Sequence, residues 1–227
     1  MLQLSHLVLV GKDKRRPTIG LPCVSLAHNE ENLIGAFLAH YRQLGLVDFI
    51  IVDDGSTDGT LDMLLDQPDV TVLRPKLGSR YDQDKVIWRS QLLDACAANQ
   101  WCLVPDLDEL LILPVGYAAL AEFIVVLNLE SASAVITIMV DMYADAAVSD
   151  HVFVSGNLIQ TFPYFDSPYP ASAGYRLLTS PPRWQALYPS PAVKAYGGMR
   201  ERLFLRRSPR PPKSIEALID RFAKISG

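Results

Sequence analysis

One stretch of this sequence decides the fold: Ile50-Ile51-Val52-Asp53-Asp54-Gly55-Ser56-Thr57-Asp58-Gly59-Thr60. An apolar strand ends here in two acids, and a run of turn-forming residues then leads into a helix. In open parallel sheets, ligands bind beyond the carboxyl ends of the strands. The pair Asp53 and Asp54 therefore predicts a binding edge at the end of this strand.

A second acidic strand end follows the apolar run 101–105, where the sequence reads Asp106-Leu107-Asp108-Glu109. Side chains alternate along an extended strand end, so we expect Asp106 and Asp108 to point to the same side. Carboxylate oxygens suit Mg²⁺ or Mn²⁺, which proteins normally bind with one or two carboxylates together with substrate phosphates. Taken alone the motif is a weak signal, because a solvated acidic loop after a strand has the same sequence.

Two such strand ends would bring four carboxylates to one rim of a sheet. Like charges a few ångströms apart raise one another's pKa, so something must relieve their repulsion. A metal ion, the hydroxyl groups of a ribose, or nearby arginines would each do so.

The chain around these acids alternates strands with helices, which favours an α/β fold. Asn29 is the expected N-cap of the first helix, and Gly45 its stop. The helix over 84–98 is expected to bury Val86, Ser90, Leu93 and Ala97 on one face. Because crossovers are right-handed, we predict a Rossmann-like three-layer αβα architecture with a mainly parallel sheet. The predicted strands are 21–27, 49–52, 70–73, 101–105 and 134–142, and the helices 30–44, 59–65, 84–98 and 117–129.

The amino-acid composition changes after residue 162. Ten of the 16 prolines lie between Pro163 and Pro212, which predicts irregular loops laid over a site. We therefore expect a core over 1–162 and a Pro- and aromatic-rich, basic extension over 163–227 that packs on the core. A disordered tail is the alternative, although the extension has aromatic packing material in Tyr164, Phe165, Tyr169, Tyr175, Trp184 and Tyr188.

Composition limits the class of protein. A chain of 227 residues with 49% hydrophobic content supports a large core in a single globular unit. The formal charge of −4 argues against a general nucleic-acid-binding protein. The charge is uneven, because the segment 194–224 holds nine Lys or Arg against three acids. This basic segment is suited to approach phosphate.

The cysteines and apolar runs indicate a reducing cytoplasm. The chain has 3 cysteines and no Cys-x-x-Cys spacing, so neither a disulfide scaffold nor a zinc site is expected. No basic segment precedes the short apolar stretch 7–10, and polar residues interrupt the longer run 118–140. An amphipathic helix over 214–225 is predicted to pack on the core, to form an oligomer contact, or to lie on the inner face of a membrane.

Three motifs, in this order and at this spacing, resemble the family 2 glycosyltransferases of GT-A fold: Asn29-Glu30-Glu31, then Val52 to Thr60, then Asp106 to Glu109. The resemblance covers roughly residues 20–115, and its specificity lies in the ordered trio on successive strand ends. Further segments are similar to a bacterial subgroup that keeps a D-x-D-E-L-L motif: Phe37 to Gly45, Asp108 to Leu111, Asp141 to Tyr143, Tyr164 to Asp166 and Gly197 to Arg202.

The resemblance implies a nucleotide-diphosphate sugar as donor. It implies that the loop Ala27, His28, Asn29 and Glu30, with Asp53 and Asp54, binds the nucleoside. It also implies that Asp106 contacts ribose or sugar, and that Asp108, together with Asp106, holds Mn²⁺ or Mg²⁺. Such a metal stabilises the departing diphosphate. His28 is either a donor to phosphate or a packing or hydrogen-bonding residue.

The implied reaction is a hexosyltransferase-like transfer to an unknown glycan, lipid-linked or protein acceptor in surface polysaccharide or glycoconjugate synthesis. If transfer inverts the anomeric centre, an Asp or Glu must deprotonate the acceptor hydroxyl. Glu201 is the first candidate and Asp166 the second, while Arg200 and Arg202 are expected to bind the diphosphate. Glu201 has the alternative role of a surface partner of these arginines.

Three other classes compete with this interpretation. Relatives continue for several tens of residues beyond the arginine-flanked segment, so we expect a short carboxyl end and keep a catalytically weak sugar-nucleotide-binding protein as the alternative. A haloacid-dehalogenase-like phosphatase would need an acid at Ser56. A nucleotidyltransferase would need a glycine- and arginine-rich loop where Ala27 to Glu30 stands, and the glycine motifs of dinucleotide-binding and P-loop proteins are absent from the sequence.

Overall fold

The computed structural model describes residues 4–15, 21–45, 48–132, 134–135, 137, 140–147, 150, 153–165, 174–177 and 193–196. The chain divides into two compact units. The first comprises Met1–Val135 with Phe153–Leu158, and the second Ile136–Val152 with Ile159–Gly227.

The first unit is built on a mixed four-stranded sheet in the order β1-β4-β3-β2. Strands β2, β3 and β4 are parallel, whereas β1 pairs with β4 in the antiparallel direction. The strands are β1 Leu7–Val10, β2 Pro22–Ala27, β3 Asp48–Asp53 and β4 Val70–Pro75, and the helices are α1 Glu31–Gln43, α2 Thr60–Asp66, α3 Tyr81–Cys96 and α4 Leu120–Leu129. The α/β class and the βαβαβ order of the first half are thus confirmed.

Both faces of the sheet are covered by helices. Alternate residues of β3 enter different clusters: Phe49 and Ile51 pack with α1 and α2 on one face, while Ile50 and Val52 pack with α3 on the other. Every residue of β2 and β3 is buried. This two-sided burial explains why these strands have continuous apolar runs rather than an alternating pattern.

The predicted strand over 101–105 is wrong in extent. It forms only an isolated parallel bridge between Leu103 and Cys23. The Val24 N–H donates to the Leu103 carbonyl at 2.8 Å, and the Leu103 N–H donates to the Pro22 carbonyl at 3.0 Å. Pro105 has no N–H to continue the ladder. The bridge still brings this segment alongside β2.

The first helix begins later than predicted. Glu30 occupies the N-cap position of α1, so Asn29 is not the cap. The side chain of Asn29 instead bonds to Thr57 in the next loop, which removes it from the helix start. The predicted stop is confirmed, because Gly45 adopts a φ of +94° directly after the helix, a left-handed conformation that glycine accommodates without steric cost.

Two further predictions need correction. Helix α3 buries Trp88 and Leu92, whereas Val86 is 66% exposed, so the predicted buried face is the wrong one. Trp88 and Leu92, one turn apart, instead form the face that packs on the sheet. The predicted strand over 134–142 is also wrong, since Met142 is the only residue of this range in a strand among those that the structure describes, which are 134, 135, 137 and 140–142.

The second unit contains two short strand pairs, and three of their four strands, β6, β7 and β8, lie in the region predicted to be irregular. Strand β5 (Met142–Tyr143) pairs antiparallel with β6 (Tyr164–Phe165), and β7 (Gly174–Leu177) pairs antiparallel with β8 (Val193–Tyr196). A short helix, α5, covers Leu158–Thr161. In the part of the chain that the structure describes, no helix has the length and apolar character needed to cross a membrane.

Candidate functional site

The predicted site residues of the first unit gather at the carboxyl ends of β2 and β3. Ala27 and Asp53 are register partners at the last position of these strands. The Asp54 N–H then donates to the Ala27 carbonyl at 2.9 Å, one residue beyond the sheet ladder. The two loops that follow these strands therefore start side by side.

Side chains lock these two loops together. The Asn29 N–H donates to Ser56 Oγ at 2.9 Å, and the Thr57 N–H donates to Asn29 Oδ1 at 2.7 Å. The Glu30 N–H donates to Thr60 Oγ1 at 2.8 Å. Asn29 makes these contacts with a φ of +57°, a region in which Asn is enriched among residues other than glycine. The turn residues that the sequence analysis singled out thus hold the loop at the start of α1.

Both ring nitrogens of His28 are engaged within the loops. Nδ1 lies 2.7 Å from the Asp54 carbonyl, and Nε2 lies 3.3 Å from Asn29 Nδ2. A carbonyl can only accept, so Nδ1 carries the proton. Asn29 Oδ1 accepts from Thr57, which leaves the Asn29 amide to donate to Nε2. These contacts support the hydrogen-bonding role for His28, the alternative to a phosphate donor.

Asp53 and Asp54 have different surroundings. The side chain of Asp53 is fully buried, and its Oδ2 lies 2.7 Å from both Nε and Nη2 of Arg74. Its Oδ1 accepts from the Ser56 N–H at 3.3 Å. Asp54 is only partly covered, and that partial burial raises its pKa, with a further upward contribution from Asp53. Of the two acids, Asp54 is the one open to a ligand.

The acid turn, Asp106 to Glu109, lies beside the end of β2. Ser25 Oγ donates to the Pro105 carbonyl at 2.8 Å, just before the turn begins. Within the turn, the Glu109 N–H donates to the Asp106 carbonyl at 3.0 Å, and the Asp106 N–H donates to Glu109 Oε2 at 3.1 Å. Leu107 is buried in the core, whereas Asp106 and Asp108 on either side of it are exposed. Leu107 thus anchors the turn with both aspartates at the surface.

Glu30 faces the acid turn from the start of α1. Partial burial raises the pKa of Glu30 to about 7, and the negative charges of Asp108 and Asp106 add to this shift. Its Oε2 is buried and has no hydrogen-bond partner among the residues that the structure describes. The charges of Asp106 and Asp108 thus act on Glu30, and Asn29, beside Glu30, bonds to Ser56 and Thr57 of the loop after β3.

Arginines balance part of this negative charge. Arg89 on α3 pairs through Nη2 with Asp106 Oδ1, and its buried Nε has no hydrogen-bond partner within the described ranges. Arg74 pairs with Asp53. Sequence reasoning missed both arginines. No local signal marked Arg74, because it comes next to Asp53 only through the parallel register that sets Val52 beside Leu73.

The carboxylates fit a divalent cation only in part. Over the described ranges, no group of three or more His, Cys, Asp or Glu side chains is arranged to hold a metal ion. A small hard cation needs only one or two protein carboxylates when phosphate oxygens complete its shell. The exposed carboxylates of Asp106 and Asp108 meet this smaller requirement.

The remaining predicted site residues lie outside the described residues. These are Asp166, Arg200, Glu201 and Arg202. The structure therefore brings together Ala27 to Glu30, Asp53, Asp54, Asp106 and Asp108, and the candidate base and diphosphate-binding arginines stay predictions.

Comparison with known proteins supports the same class. The family model described as Glycosyl transferase family 2 matches residues 23–81. This range begins in β2, includes the loops that hold Glu30 and Asp54, and ends before the acid turn. No curated protein and no solved structure matches the chain. The match supports a glycosyltransferase with the α/β GT-A fold, and the bacterial subgroup stays a prediction.

Proposed function

We propose that this protein is a metal-dependent glycosyltransferase that moves a sugar from a nucleotide-diphosphate sugar to an acceptor hydroxyl. The observation that carries the proposal is the pair of interlocked loops that follow β2 and β3 at Asn29 and Asp54, with the acid turn bonded to β2 through Ser25. These loops lie within the segment that the family model matches. Ligands of α/β sheets bind at this edge.

The nucleoside is proposed to bind along the loops after β2 and β3. Asp54 is open to accept hydrogen bonds from a ring N–H or from ribose hydroxyls. Asp53, paired with Arg74, supports the loop after β3. Ala27, His28, Asn29 and Glu30 form the other side of the same edge.

The diphosphate is proposed to lie against the acid turn. Asp108 and Asp106 would hold Mn²⁺ or Mg²⁺, with Glu30 adjacent. Such an ion supplies positive charge that stabilises the diphosphate as it leaves. The side chain of Arg89 already offsets the charge of Asp106, so the turn carries less repulsion than its acids alone would create.

The transfer itself needs a base and an acceptor. Glu201, or Asp166 as the second candidate, takes the proton of the acceptor hydroxyl, whose oxygen forms a bond to the anomeric carbon as the bond to phosphate breaks. Arg200 and Arg202 neutralise the leaving diphosphate. In this proposal the region 163–227 supplies the acceptor side and the region 1–162 the donor side.

The proposed acceptor sets the cellular setting. An acceptor glycan, lipid or protein would place the enzyme in surface polysaccharide or glycoconjugate synthesis. A cytoplasmic protein, with contact at the inner face of a membrane, suits a lipid-linked acceptor.

One observation favours a second candidate, a sugar-nucleotide-binding protein with weak transfer. The family match ends at residue 81 and so covers the nucleoside side of the site but not the acid turn. Such a protein would bind donor at Asp54 and its loops and turn it over slowly.

A binding screen followed by turnover tests both candidates. Nucleoside diphosphates of each common base are added with Mn²⁺ or with a chelator, and the melting temperature is recorded. Binding at ~100 times Kd adds about 2.7 kcal/mol of stability. We expect Asp108→Asn to remove the Mn²⁺-dependent part and Asp54→Asn to weaken binding in both conditions.

Asp94→Asn, an exposed acid on α3, is the matched control. The absence of any stabilisation of the wild-type protein would reject both candidates. Release of nucleoside diphosphate from its sugar, faster with the protein than without it, distinguishes the enzyme from the binding protein.

A further inference from the structure

The segment directly after the acid turn has no regular secondary structure of its own. Residues 109–111 belong to no strand or helix, so sheet or helix ladders do not supply partners for their backbone groups. Buried backbone N–H and C=O groups must nevertheless be paired. Side chains that bond to this segment can therefore help to hold the acid turn in place.

Tyr41 provides two of these bonds from helix α1. Its hydroxyl donates to the Glu109 carbonyl at 3.0 Å and accepts from the Leu111 N–H at 3.2 Å. The residue is 1% exposed, and its ring centroid lies 4.8 Å from that of Phe37. Burial raises the pKa of Tyr41 far above its usual value, so the hydroxyl keeps its proton and remains a donor. Tyr41 thus holds two backbone groups with one oxygen.

His40 adds a third bond to the same segment. Its Nε2 lies 2.8 Å from the Leu111 carbonyl and therefore carries the proton. The ring meets that of Tyr41 edge-on, with centroids 5.1 Å apart. We call Tyr41 and His40 the α1 clamp. On the other side of the acid turn, Ser25 Oγ bonds to the Pro105 carbonyl at 2.8 Å.

We infer that the α1 clamp positions the acid turn, so that Asp106 and Asp108 are held at the donor diphosphate. This inference rests on the proposed function for its ligand. Tyr41 and His40 touch neither donor nor metal in this view, and they act through the backbone of Glu109 and Leu111. Metal ligands and catalytic groups tolerate displacements of only about 0.5 Å.

If the α1 clamp positions the acid turn, its loss should affect Mn²⁺-dependent binding of the donor but not the contacts with the nucleoside. The loops around Asp54 are locked by Asn29, Ser56 and Thr57 and make no use of the clamp. Loss of the Tyr41 hydroxyl should therefore spare nucleoside contacts. It should weaken those contacts that need Mn²⁺, because they depend on the position of the acid turn. A general loss of stability would instead weaken both kinds of binding together.

Tyr41→Phe is the first test, because it removes the hydroxyl and keeps the buried ring. Tyr117→Phe is the control, since it changes another ring pair, with Phe123, and its hydroxyl has no hydrogen bond within the described ranges. Amide hydrogen exchange at Leu111 is measured on each protein without ligand. We expect the Leu111 amide to exchange about ten-fold faster or more in Tyr41→Phe, because its N–H loses the hydroxyl that accepts from it. We expect no change in Tyr117→Phe.

The second measurement is the affinity for nucleoside diphosphates with Mn²⁺ and with a chelator, by calorimetry. We expect the Mn²⁺-dependent gain in affinity to fall about ten-fold in Tyr41→Phe, while the affinity in chelator stays unchanged. His40→Ala, at a partly exposed position, should show the same split to a smaller degree. It also keeps the inference testable if the Tyr41 variant does not fold.

The possible results separate the inference from the function on which it rests. Unchanged exchange at Leu111 in both clamp variants overturns the clamp. Faster exchange with an unchanged Mn²⁺-dependent gain overturns its positioning role. If the wild-type protein binds no nucleoside diphosphate in either condition, the proposed function is rejected and the positioning role with it. The exchange result then still decides whether the clamp exists.

Discussion

At the scale of single residues, the adjacent acids Asp53 and Asp54 differ in role because their surroundings differ. Asp53 is fully buried and paired with Arg74, whereas Asp54 is open beyond the last rung of the sheet. A buried carboxylate is stable only with a partner. Asp53 therefore belongs to the support of the loop, and Asp54 is left to meet a ligand.

Arg74→Ala should destabilise the protein strongly. The change leaves the charge of Asp53 buried without its partner. We expect the free energy of unfolding to fall by about 3 kcal/mol, the low end of the cost of breaking a buried ion pair, because Arg74 is partly exposed. Arg80→Ala is the control, because the Arg80–Asp82 pair is exposed on both sides and such pairs contribute under about 1 kcal/mol. Urea unfolding at pH 7 measures both, and equal losses would contradict the supporting role of Arg74.

The second prediction at this scale concerns Glu30 and pH. Its folded-state pKa is raised from 4.5 to about 7, so the folded protein binds a proton that the unfolded chain has released between these values. This contribution to the free energy of unfolding is therefore full below pH 4.5 and falls as the pH rises toward 7. Glu30→Gln should flatten that fall. Denaturant unfolding from pH 4.5 to 8 in chelator measures it, and parallel curves for both proteins would contradict the assignment.

At the scale of elements, helix α1 organises the site at both of its ends. Its first turn brings Glu30 to the acids, and its last turn holds the segment after the acid turn through Tyr41 and His40. Its stop at Gly45 is followed by a bond from the Leu120 N–H to the Leu44 carbonyl at 3.0 Å. One helix thus contacts the loop after β3 at its start and the segment after the acid turn at its end.

Two glycines of this helix give a matched prediction. Gly35 lies within α1 with nothing within 4 Å of an added Cβ, so Gly35→Ala should stabilise the protein by about 0.5–1 kcal/mol. Gly45 also has open space, but its φ of +94° strains any other residue. Gly45→Ala should destabilise by about 1 kcal/mol. Thermal unfolding decides, and a gain from both changes would contradict the helix boundary.

The features that could be predicted from the sequence are those that residues close together in the chain determine. The strands β2, β3 and β4 and the stop of α1 were predictable, because an apolar run or a glycine stop is a local signal. Strand β1 was not predicted, because Leu7 to Val10 is short and gains its role only from pairing with β4. The face of α3 was wrong because packing against the sheet, which buries Trp88, selects it.

The same reasoning applies to the site. The acids at strand ends were predictable, since each follows an apolar run in the sequence. Their partners were not, because Arg74, Arg89 and Tyr41 reach the site across 21, 17 and 68 residues of sequence. Such pairings depend on strand register and helix placement, which no local pattern specifies.

At the scale of the whole molecule, charge is divided along the chain. The formal net charge is −4, yet nine Lys or Arg and three acids lie between Lys194 and Lys224. The acids of the first unit gather at one sheet edge, where a diphosphate would add further negative charge. A basic partner for that charge is therefore needed. The sequence offers Arg200 and Arg202, outside the described residues, on either side of the candidate base Glu201.

Arg202→Ala is the prediction that tests this division. If Arg202 neutralises the leaving diphosphate, its charge-assisted hydrogen bonds strengthen as the bond to sugar breaks, so they contribute more to the transition state than to donor binding. We expect kcat to fall about ten-fold or more and the donor KM to change little. Steady-state kinetics with Mn²⁺ and saturating acceptor measures both, with Arg80→Ala as the control for loss of a surface charge.

A structural role for Arg202 would give a different pattern. The melting temperature would fall, and kcat per folded molecule would equal that of the wild-type protein, which would contradict the catalytic role. Active molecules are therefore counted by titration with nucleoside diphosphate on the same preparation. The double variant with Glu201→Gln then completes the cycle. If Arg202 and Glu201 act as a unit, the double variant should lose little more activity than the worse single variant, because removal of either one already disables the transfer step.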